Sequence, residues 1–162
     1  TEANAWQYFW TPAQYDVKGM TGLLGGSKQF TDQLDQFFST QSLHSNKHLG
    51  QEAMIGQYAH GNEPSHHIAW LYALSDHPEK ADQLISRICT RFYNNSPDGI
   101  TGNDDCGQMS AWYIFATLGF YPVNPVNGLF VRSVPQCNEI ILKTPGFKPV
   151  IINRHHGHNL RK

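Results

Sequence analysis

The stretch Tyr-Ala-His-Gly-Asn-Glu-Pro-Ser-His-His-Ile-Ala, residues 58–69, organises the rest of the chain. Its apolar residues Ile68, Leu71 and Tyr72 lie at i, i+3 and i+4, which predicts a helix with one buried face. Ser65 is expected to be the N-cap, because a serine hydroxyl accepts a hydrogen bond from the first turn. Polar groups at the end of a packed helix are costly unless they are used or paired, which favours a functional site. A capped helix with a solvated polar loop explains the same residues equally well.

Length and composition indicate one folded domain. The chain has 162 residues and is 40% hydrophobic, which is enough for a sizeable core. A net charge of −1 provides no basic field for nucleic acid. No apolar run approaches the roughly 20 residues that span a bilayer, so no membrane partner is expected. Cys89, Cys106 and Cys137 contain no C-x-x-C pair, which argues against a cysteine zinc site.

Apolar periodicity predicts a mainly α chain with a change of character near its end. The predicted helices cover 12–24, 27–38, 78–92 and 108–118, with a short helical turn over 51–57. After Gly119, prolines separate two strand-like runs, 129–131 and 139–142. We therefore divide the chain into a helical part (1–119), the start of a β-rich region (120–150) and a tail (151–162). The tail histidines are interpreted as an exposed end rather than a metal site; they are His155, His156 and His158.

The first ten residues combine aromatic rings with hydrogen-bonding side chains. Four of the ten are aromatic, including Trp6, and they are interleaved with Gln7 and the acid Glu2. Sugars are recognised by such mixtures, because their C–H faces stack on rings while their hydroxyls need donors and acceptors. Glu2 is a candidate proton donor, since a carboxyl group among rings tends to stay protonated. An aromatic core stripe on a helix is the alternative.

Two polar loops are expected to lie side by side. Residues 61–63 (Gly-Asn-Glu) and 102–105 (Gly-Asn-Asp-Asp) each precede a buried helix, and one antiparallel helix separates them. Both loops then fall at the same end of a bundle. Opposed carboxylates suit glycoside hydrolysis, in which one acts as acid and another activates water. Carboxylate and amide oxygens also suit calcium, although no EF-hand spacing is present. Capping of helix N-termini by the acids is the alternative for either loop.

Four stretches occur in an order that is specific to one protein family. They are Glu-Ala-Asn-Ala-Trp-Gln-Tyr (2–8), His-Gly-Asn-Glu-Pro-Ser-His-His (60–67), Gly-Asn-Asp-Asp-Cys-Gly-Gln-Met-Ser-Ala-Trp-Tyr (102–113) and Leu-Gly-Phe-Tyr-Pro (118–122). Together they resemble the family 92 glycoside hydrolases, which are calcium-dependent exo-acting α-mannosidases. The resemblance covers residues 1–122. The last twelve residues do not resemble the family.

The resemblance implies a fold and a missing part. Family members have an N-terminal β-sandwich and a catalytic (α/α)6 barrel. This chain would then be a C-terminal part of the catalytic domain, a portion of the (α/α)6 barrel followed by a short β-rich region. The N-terminal part of the same enzyme would be its partner. Without the other barrel helices, we expect exposed apolar faces on the 12–24 and 27–38 helices.

The resemblance also implies a catalytic mechanism that inverts the configuration of the sugar. A protonated Glu assists the leaving sugar while an Asp activates water on the opposite face, with the two carboxyl groups about 6.5–9.5 Å apart. Glu2 is the candidate acid. Asp105 is the candidate base, with Asp104 and Asn103 beside it; some relatives carry a second acid at the Asn103 position. Base assistance is therefore expected to be weaker here.

Calcium and sugar contacts are implied in the same way. Asn62 and Glu63 match the calcium-binding pair, and the metal would grip the mannose 2- and 3-hydroxyls and help to distort the ring. The expected sugar contacts, or supports for them, are Trp6, Gln7, His60, His66, His67 and Gln108.

The leading hypothesis is hydrolysis of terminal α-mannosidic bonds in mannose-rich glycans by a calcium-dependent inverting enzyme. The family implies a secreted, periplasmic or cell-surface location. A glycan-binding fragment without turnover is the alternative, because part of a barrel can hold sugar while misplacing the acid. A zinc protein using His60, His66 and His67 is a weaker one, because the i, i+6, i+7 spacing suits no single helical face.

Overall fold

The computed structural model describes residues 5–41, 47–48, 51–52 and 54–154. Within them the chain is rich in helices, with short strands at two places. The α-helices are α1 (Ala5–Phe9), α2 (Val17–Leu23), α3 (Ser27–Ser39), α4 (Pro78–Phe92) and α5 (Gln108–Leu118). Further 3-10 helices cover Thr11–Gln14, Glu63–Ser65 and Ile68–Leu74. None of the described helices is long and apolar enough to cross a membrane.

The described strands form antiparallel pairs, each joined to its neighbour in sequence. They are β1 (Lys47–His48), β2 (Gln51–Glu52), β3 (Met54–Ile55), β4 (Tyr58–Ala59), β5 (Phe120–Tyr121), β6 (Val131–Arg132), β7 (Glu139–Leu142) and β8 (Val150–Asn153). The pair β7–β8 is the longest, with Glu139 opposite Asn153 and Leu142 opposite Val150. The strand predicted at 139–142 is confirmed, and the one predicted at 129–131 begins two residues later. Because β8 reaches Asn153, it includes the start of the predicted tail; the tail histidines lie outside the described residues.

The core is built where helical periodicity is strongest. In α4 the apolar residues recur along one stripe, from Ala81 to Phe92, and all of them are buried against the 3-10 helix Ile68–Leu74. In α5, Met109, Trp112 and Ala116 are buried, whereas Ile114 is 57% exposed. The helices predicted at 78–92 and 108–118 are confirmed. The interpretation of α5 as buried on most sides is wrong, because one face is open.

The described residues of 51–57 form strands Gln51–Glu52 and Met54–Ile55 and a turn at 56–57, so the predicted helical turn is wrong. Met54 and Ile55 pair with Ala59 and Tyr58 across a turn that contains Gly56. Gly56 has a φ of +59°, and a Cβ there would lie 2.4 Å from the Phe38 carbonyl oxygen. The turn therefore requires glycine on two grounds, and neither is visible in the local pattern that predicted a helical turn.

The expected exposed apolar faces occur on only one of the two helices. On α2, Leu23 is 90% exposed, while its other apolar residues are half-buried. On α3, by contrast, Phe30, Leu34 and Phe37 are buried in the core. The expectation for α3 is wrong because Trp10 contacts Phe30 and Phe37 edge-on and covers that face.

Candidate active site

The loop at 61–63 is held by hydrogen bonds from Ser65 to backbone carbonyls within and just before the loop. The Ser65 hydroxyl donates to the carbonyl oxygens of Ala59 (3.0 Å) and Asn62 (2.7 Å). Ser65 is fully buried and donates, so the prediction that it is an N-cap acceptor is wrong. Ser65 ends one short 3-10 helix, and a second, Ile68–Leu74, follows it in place of a continuous α-helix. These bonds hold Glu63 in a fixed turn at the head of the buried stretch.

The second loop is held by a capping carboxylate. The N-cap position of α5 is Gly107, which has no side chain to use. The Asp104 carboxylate accepts from the Ser110 backbone N–H at 2.9 Å, and the Asp104 carbonyl accepts from Gly107 and Met109. Asp104 therefore does the capping that was the alternative interpretation for this loop. Asp104 is engaged in structure, and Asp105 is the acid next to it.

Asp105 lies in a strained part of the backbone. Asp105, Cys106 and Gly107 have φ values of 47°, 58° and 90°, three consecutive residues in the left-handed region. This conformation costs roughly 1–2 kcal/mol for an ordinary residue and is found preferentially at functional sites. Asn103 and Asp105 are both exposed. The turn presents a carboxylate to solvent beside the N-terminus of α5.

The structure brings the two loops together. A Cβ on Gly61 would lie 3.3 Å from the Thr101 carbonyl oxygen and 3.8 Å from the Gly102 Cα, so the two backbones are in contact. Gln108, in the first turn of α5, lies 3.2 Å from His66 Nδ1 through its Nε2. The Trp112 indole N–H donates to the His66 carbonyl at 3.0 Å. Segments 40 residues apart in sequence thus meet at one end of the helices, as the topology predicts.

The adjacent histidines His66 and His67 are buried and neutral. His66 Nε2 donates to the His60 carbonyl at 3.0 Å, which leaves Nδ1 to accept from Gln108. Burial lowers the pKa of His66 to about 4. His67 Nε2 donates to the Trp10 carbonyl at 2.9 Å, and burial lowers its pKa as well. Neither imidazole carries a charge near neutral pH.

His60 is enclosed by protein groups. Its side chain is fully buried, with Nδ1 2.8 Å from the Tyr58 hydroxyl and Nε2 2.6 Å from the Tyr93 hydroxyl. Because Tyr93 donates onward to the Met109 carbonyl at 3.0 Å, His60 donates through Nε2 and accepts through Nδ1. Burial and the neighbouring His66 lower the pKa of His60 well below its ordinary value. Direct sugar contact by His60 stays a prediction, and the observed partners of both nitrogens are protein.

The residues predicted near the N-terminus are divided between core and surface. Gln7 is buried, and its side-chain carbonyl accepts from the Ala59 N–H at 2.7 Å, which ties α1 to β4. Trp6 is 43% exposed on α1. Glu2, the predicted acid, lies outside the described residues. The sugar contacts predicted for Gln7 and Trp6 stay predictions.

A cavity of about 470 Å³ opens beside the two loops. Three predicted residues line it: Glu63, His67 and Gln108. Its other lining residues are Gln14, Pro64, Ala111, Trp112, Phe115, Tyr121, Pro122, Val123 and Pro125. Cavities of this size, mostly apolar with a few polar groups, are typical of small-ligand sites.

Sequence reasoning did not single out Gln14 or Tyr121. Tyr121 stacks on Trp70 with ring centroids 5.2 Å apart, and its hydroxyl is hydrogen bonded to Gln108. Burial raises the pKa of Tyr121 to about 12, so it stays neutral and polar at the cavity wall. The motif at 118–122 contains Tyr121 and pointed to this region. Gln14, on a short 3-10 helix remote in sequence, carried no such signal.

Asn62 and Glu63 have the chemistry of a calcium site. Both offer side-chain oxygens, the donors that calcium prefers, and both are half-buried. The Asn62 side-chain nitrogen is buried without a hydrogen-bond partner among the described residues. Those residues contain no group of three or more His, Cys, Asp or Glu placed to hold a metal. Calcium at this pair would therefore need further oxygens from carbonyls, water or a bound sugar.

His60 and His66 offer no free ring nitrogen to a zinc ion. Both ring nitrogens of His60 and of His66 are hydrogen bonded to protein groups. His60 and His66 stack with centroids 4.9 Å apart, which is ring packing rather than convergence on a point. The described residues therefore give no support to a three-histidine zinc site.

Comparison with known proteins identifies the family of this chain. Residues 1–161 match the catalytic domain of glycosyl hydrolase family 92. The match extends past residue 122 to residue 161, so the expectation that the last twelve residues do not resemble the family is wrong. An uncharacterized secreted glycosidase from Arthroderma benhamiae is 26% identical over 145 residues, 89% of this chain and 16% of that protein. The family GH92 α-mannosidase BT3965 from Bacteroides thetaiotaomicron, solved in complex with mannoimidazole, is 36% identical with a TM-score of 0.83, covering 93% of this chain and 20% of that one. A second structure of that enzyme is 38% identical, with a TM-score of 0.81, and covers 94% and 19%. The chain thus spans about a fifth of the length of these relatives.

Proposed function

Because this chain belongs to glycoside hydrolase family 92, we propose that it carries part of the active site of a calcium-dependent, inverting exo-α-mannosidase. Its substrate class is the terminal α-mannosidic bond of mannose-rich glycans. The observation that carries the proposal is the meeting of the 61–63 and 102–105 loops beside a cavity lined by Glu63, His67 and Gln108. Two of the family's motifs thereby contribute to one site.

Asp105 is the proposed general base. An inverting mechanism needs one carboxylate that deprotonates water on the face of the sugar opposite the leaving group. Asp104 is committed to capping α5, and Asn103 cannot accept a proton at neutral pH, so Asp105 remains the acid of this loop that is available for the task. The left-handed backbone conformation of Asp105 sets the direction in which its side chain leaves the loop. Glu2 is the proposed acid that protonates the leaving oxygen.

Neutral groups on the cavity wall are proposed to bind the sugar hydroxyls. Gln108, held between His66 and Tyr121, presents an amide that is already oriented. His67 has its Nε2 committed to Trp10, and its lowered pKa excludes it as a cationic acid near neutrality. Binding by oriented, uncharged groups leaves the proton transfers to the carboxyl groups.

Asn62 and Glu63 would hold the calcium ion through their side-chain oxygens. When bound, the ion supplies electrostatic attraction for sugar hydroxyls and helps to orient the ring. We also propose that an N-terminal part of the same enzyme completes an (α/α)6 barrel around these helices. The high exposure of Leu23 and of Ile114 supports this, because both would be covered by further helices. A location outside the cytoplasm is proposed from the relative described as secreted.

The test is hydrolysis of an α-1,2-linked mannobiose by the protein, after chelation and after calcium is restored. We expect calcium-dependent release of mannose, with the β-anomer appearing first by NMR. Initial release of the α-anomer would contradict inversion, and full activity in chelator would contradict the calcium site. Calcium-dependent mannose binding without any release would favour a glycan-binding role instead.

A further inference from the structure

Tyr93 and its two chain neighbours hold both ends of the loop that carries the proposed base. At the start of the loop, Tyr93 forms a backbone bridge with Ile100, and the Thr101 N–H donates to the Phe92 carbonyl at 3.2 Å. At its end, the Tyr93 hydroxyl donates to the Met109 carbonyl at 3.0 Å. The chain at the end of α4 therefore anchors residues 102–108 on both sides, through the Phe92 and Asn94 backbone at the start and through the Tyr93 hydroxyl at the end.

The far anchor is linked directly to the acidic residues. The Met109 N–H donates to the Asp104 carbonyl at 3.2 Å, and the next N–H, that of Ser110, donates to the Asp104 carboxylate. Met109 is thus bonded through its carbonyl to Tyr93 and through its N–H to the residue before Asp105. A shift of the Tyr93 hydroxyl passes to the strained turn through two hydrogen bonds and one peptide group.

The Tyr93 hydroxyl is itself oriented by a buried chain. Tyr58 donates to His60, His60 donates to Tyr93, and Tyr93 donates to Met109, so all three bonds run in one direction. The Tyr93 ring also lies parallel to that of Trp112, with an interplanar angle of 5° and centroids 6.2 Å apart. Neither Tyr93 nor His60 lines the cavity, so neither is placed to touch a sugar there.

We propose that Tyr93 is a positioning residue for Asp105, with His60 fixing the direction of its hydroxyl. The proposal rests on the proposed function for its catalytic consequence. A base must be placed to within a fraction of an ångström, and a displacement of about 1 Å can lower a rate 100-fold. Tyr93 acts on the placement of Asp105, whereas calcium binding uses the other loop and the sugar-binding amide of Gln108 is held independently by His66 and Tyr121.

The test is the Tyr93→Phe variant of the protein. It keeps the ring, its stacking on Trp112 and the backbone bridge, and it removes only the hydroxyl. We expect kcat to fall about 10-fold while KM and the calcium concentration for half-maximal activity change less than about twofold. Hydrogen exchange of the Gly107, Met109 and Ser110 amides should quicken, with exchange in the middle of α4 unchanged.

The matched control is Tyr113→Phe. Its ring contacts that of Tyr93 at 4.7 Å, but it faces outward and is 39% exposed. This variant should keep wild-type kcat and exchange. Equal kcat for Tyr93→Phe and wild type would overturn the proposal, as would a loss of kcat matched by a loss of folded protein. If the wild type hydrolyses no mannoside, the proposed function fails, and unchanged exchange in Tyr93→Phe would separately overturn the anchoring role.

Discussion

The two polar loops of the site are stabilised by opposite means. The 61–63 loop is bonded to its own backbone through buried Ser65 and is followed by the buried, neutral His66. The 102–105 loop is exposed, contains the left-handed turn at Asp105 and is held from outside by the Tyr93 hydroxyl. The difference indicates a division of labour. The 61–63 loop, which is half-buried and bonded to its own backbone, suits metal and sugar binding, and the strained, exposed loop suits a residue that must exchange protons with water.

The largest expected effect concerns the exposed loop. Asp105→Asn removes the proposed base, and asparagine tolerates the left-handed backbone well, so the fold should be retained. Activity on mannobiose should fall 10²- to 10⁴-fold, the range typical of a lost general base, with mannose binding unchanged. Steady-state kinetics with calorimetric binding measures both. The exposed Asp76→Asn is the control. Comparable activity in the two variants would contradict the assignment of Asp105 as the general base.

The next effect concerns the 61–63 loop and pH. The pKa of His66 is lowered to about 4 by burial, while in the unfolded chain it has its ordinary value near 6.5. Between these values the unfolded chain binds more protons than the folded chain, so the free energy of unfolding falls as pH falls from 6.5 towards 4. The stabilising contribution of neutral His66 is fully present above pH 6.5. The loss from His66 is on the order of 3 kcal/mol.

Urea unfolding at pH 7 and at pH 5 measures this dependence. His66→Gln should reduce it, since glutamine can still accept from Gln108 but does not titrate, while buried His60 and His67 keep their own contributions. The exposed Ser39→Ala, which changes no titratable group, serves as the control and should keep the wild-type slope. An unchanged slope in His66→Gln would show that the 61–63 loop does not derive its acid sensitivity from this imidazole.

A smaller effect is expected from the bonds that close the 61–63 loop. Ser65→Ala removes the buried hydroxyl that donates to the Ala59 and Asn62 carbonyls, which keep their bonds from the Asn62 and Ser65 N–H groups, and should lower the free energy of unfolding by about 1 kcal/mol. It should also weaken calcium binding, because Glu63 loses the turn that fixes it. Thermal unfolding with and without calcium checks both, and the exposed Ser39→Ala is the comparison. A loss of stability with unchanged calcium affinity would show that the Ser65 turn does not position Glu63 for calcium binding.

The smallest effect would show that the exposed loop is strained. Cys106→Gly relieves a non-glycine residue at a φ of 58° and should raise the free energy of unfolding by about 0.5–1 kcal/mol. The same change at exposed Cys137, which is not in the left-handed region, should lower it slightly. Thermal melts of the two variants decide the sign. Destabilisation by Cys106→Gly would mean that the turn stores no strain.

The sequence predicted those parts of the fold that depend on local pattern. The bounds of α4 and α5 followed from apolar periodicity, proline and glycine. The hairpin around Gly56 was missed, because its glycine is required by the Phe38 carbonyl, a contact between distant segments. Periodicity carries no information about such contacts, and the same limit applies to the buried face of α3.

The candidate site was predictable as a set of motifs but not as a set of roles. The sequence placed the two loops together, yet it could not separate Asp104, which caps α5, from Asp105, since both roles use a carboxylate at a helix start. It predicted a sugar contact for both His60 and His67, although only His67 of the two lines the cavity. Tyr93 and Gln14 carried no signal, because their importance comes entirely from where other segments bring their partners.

The contact of Gly61 with the Thr101 carbonyl couples the lengths of the two loops. The backbones touch without a side chain between them, so an added residue in either loop would push the other away and change the width of the opening. Insertions and deletions in one loop then need a compensating change in the other. The two loops therefore have to change length together. A graft of this site onto another scaffold would have to transfer both loops with the spacing between them.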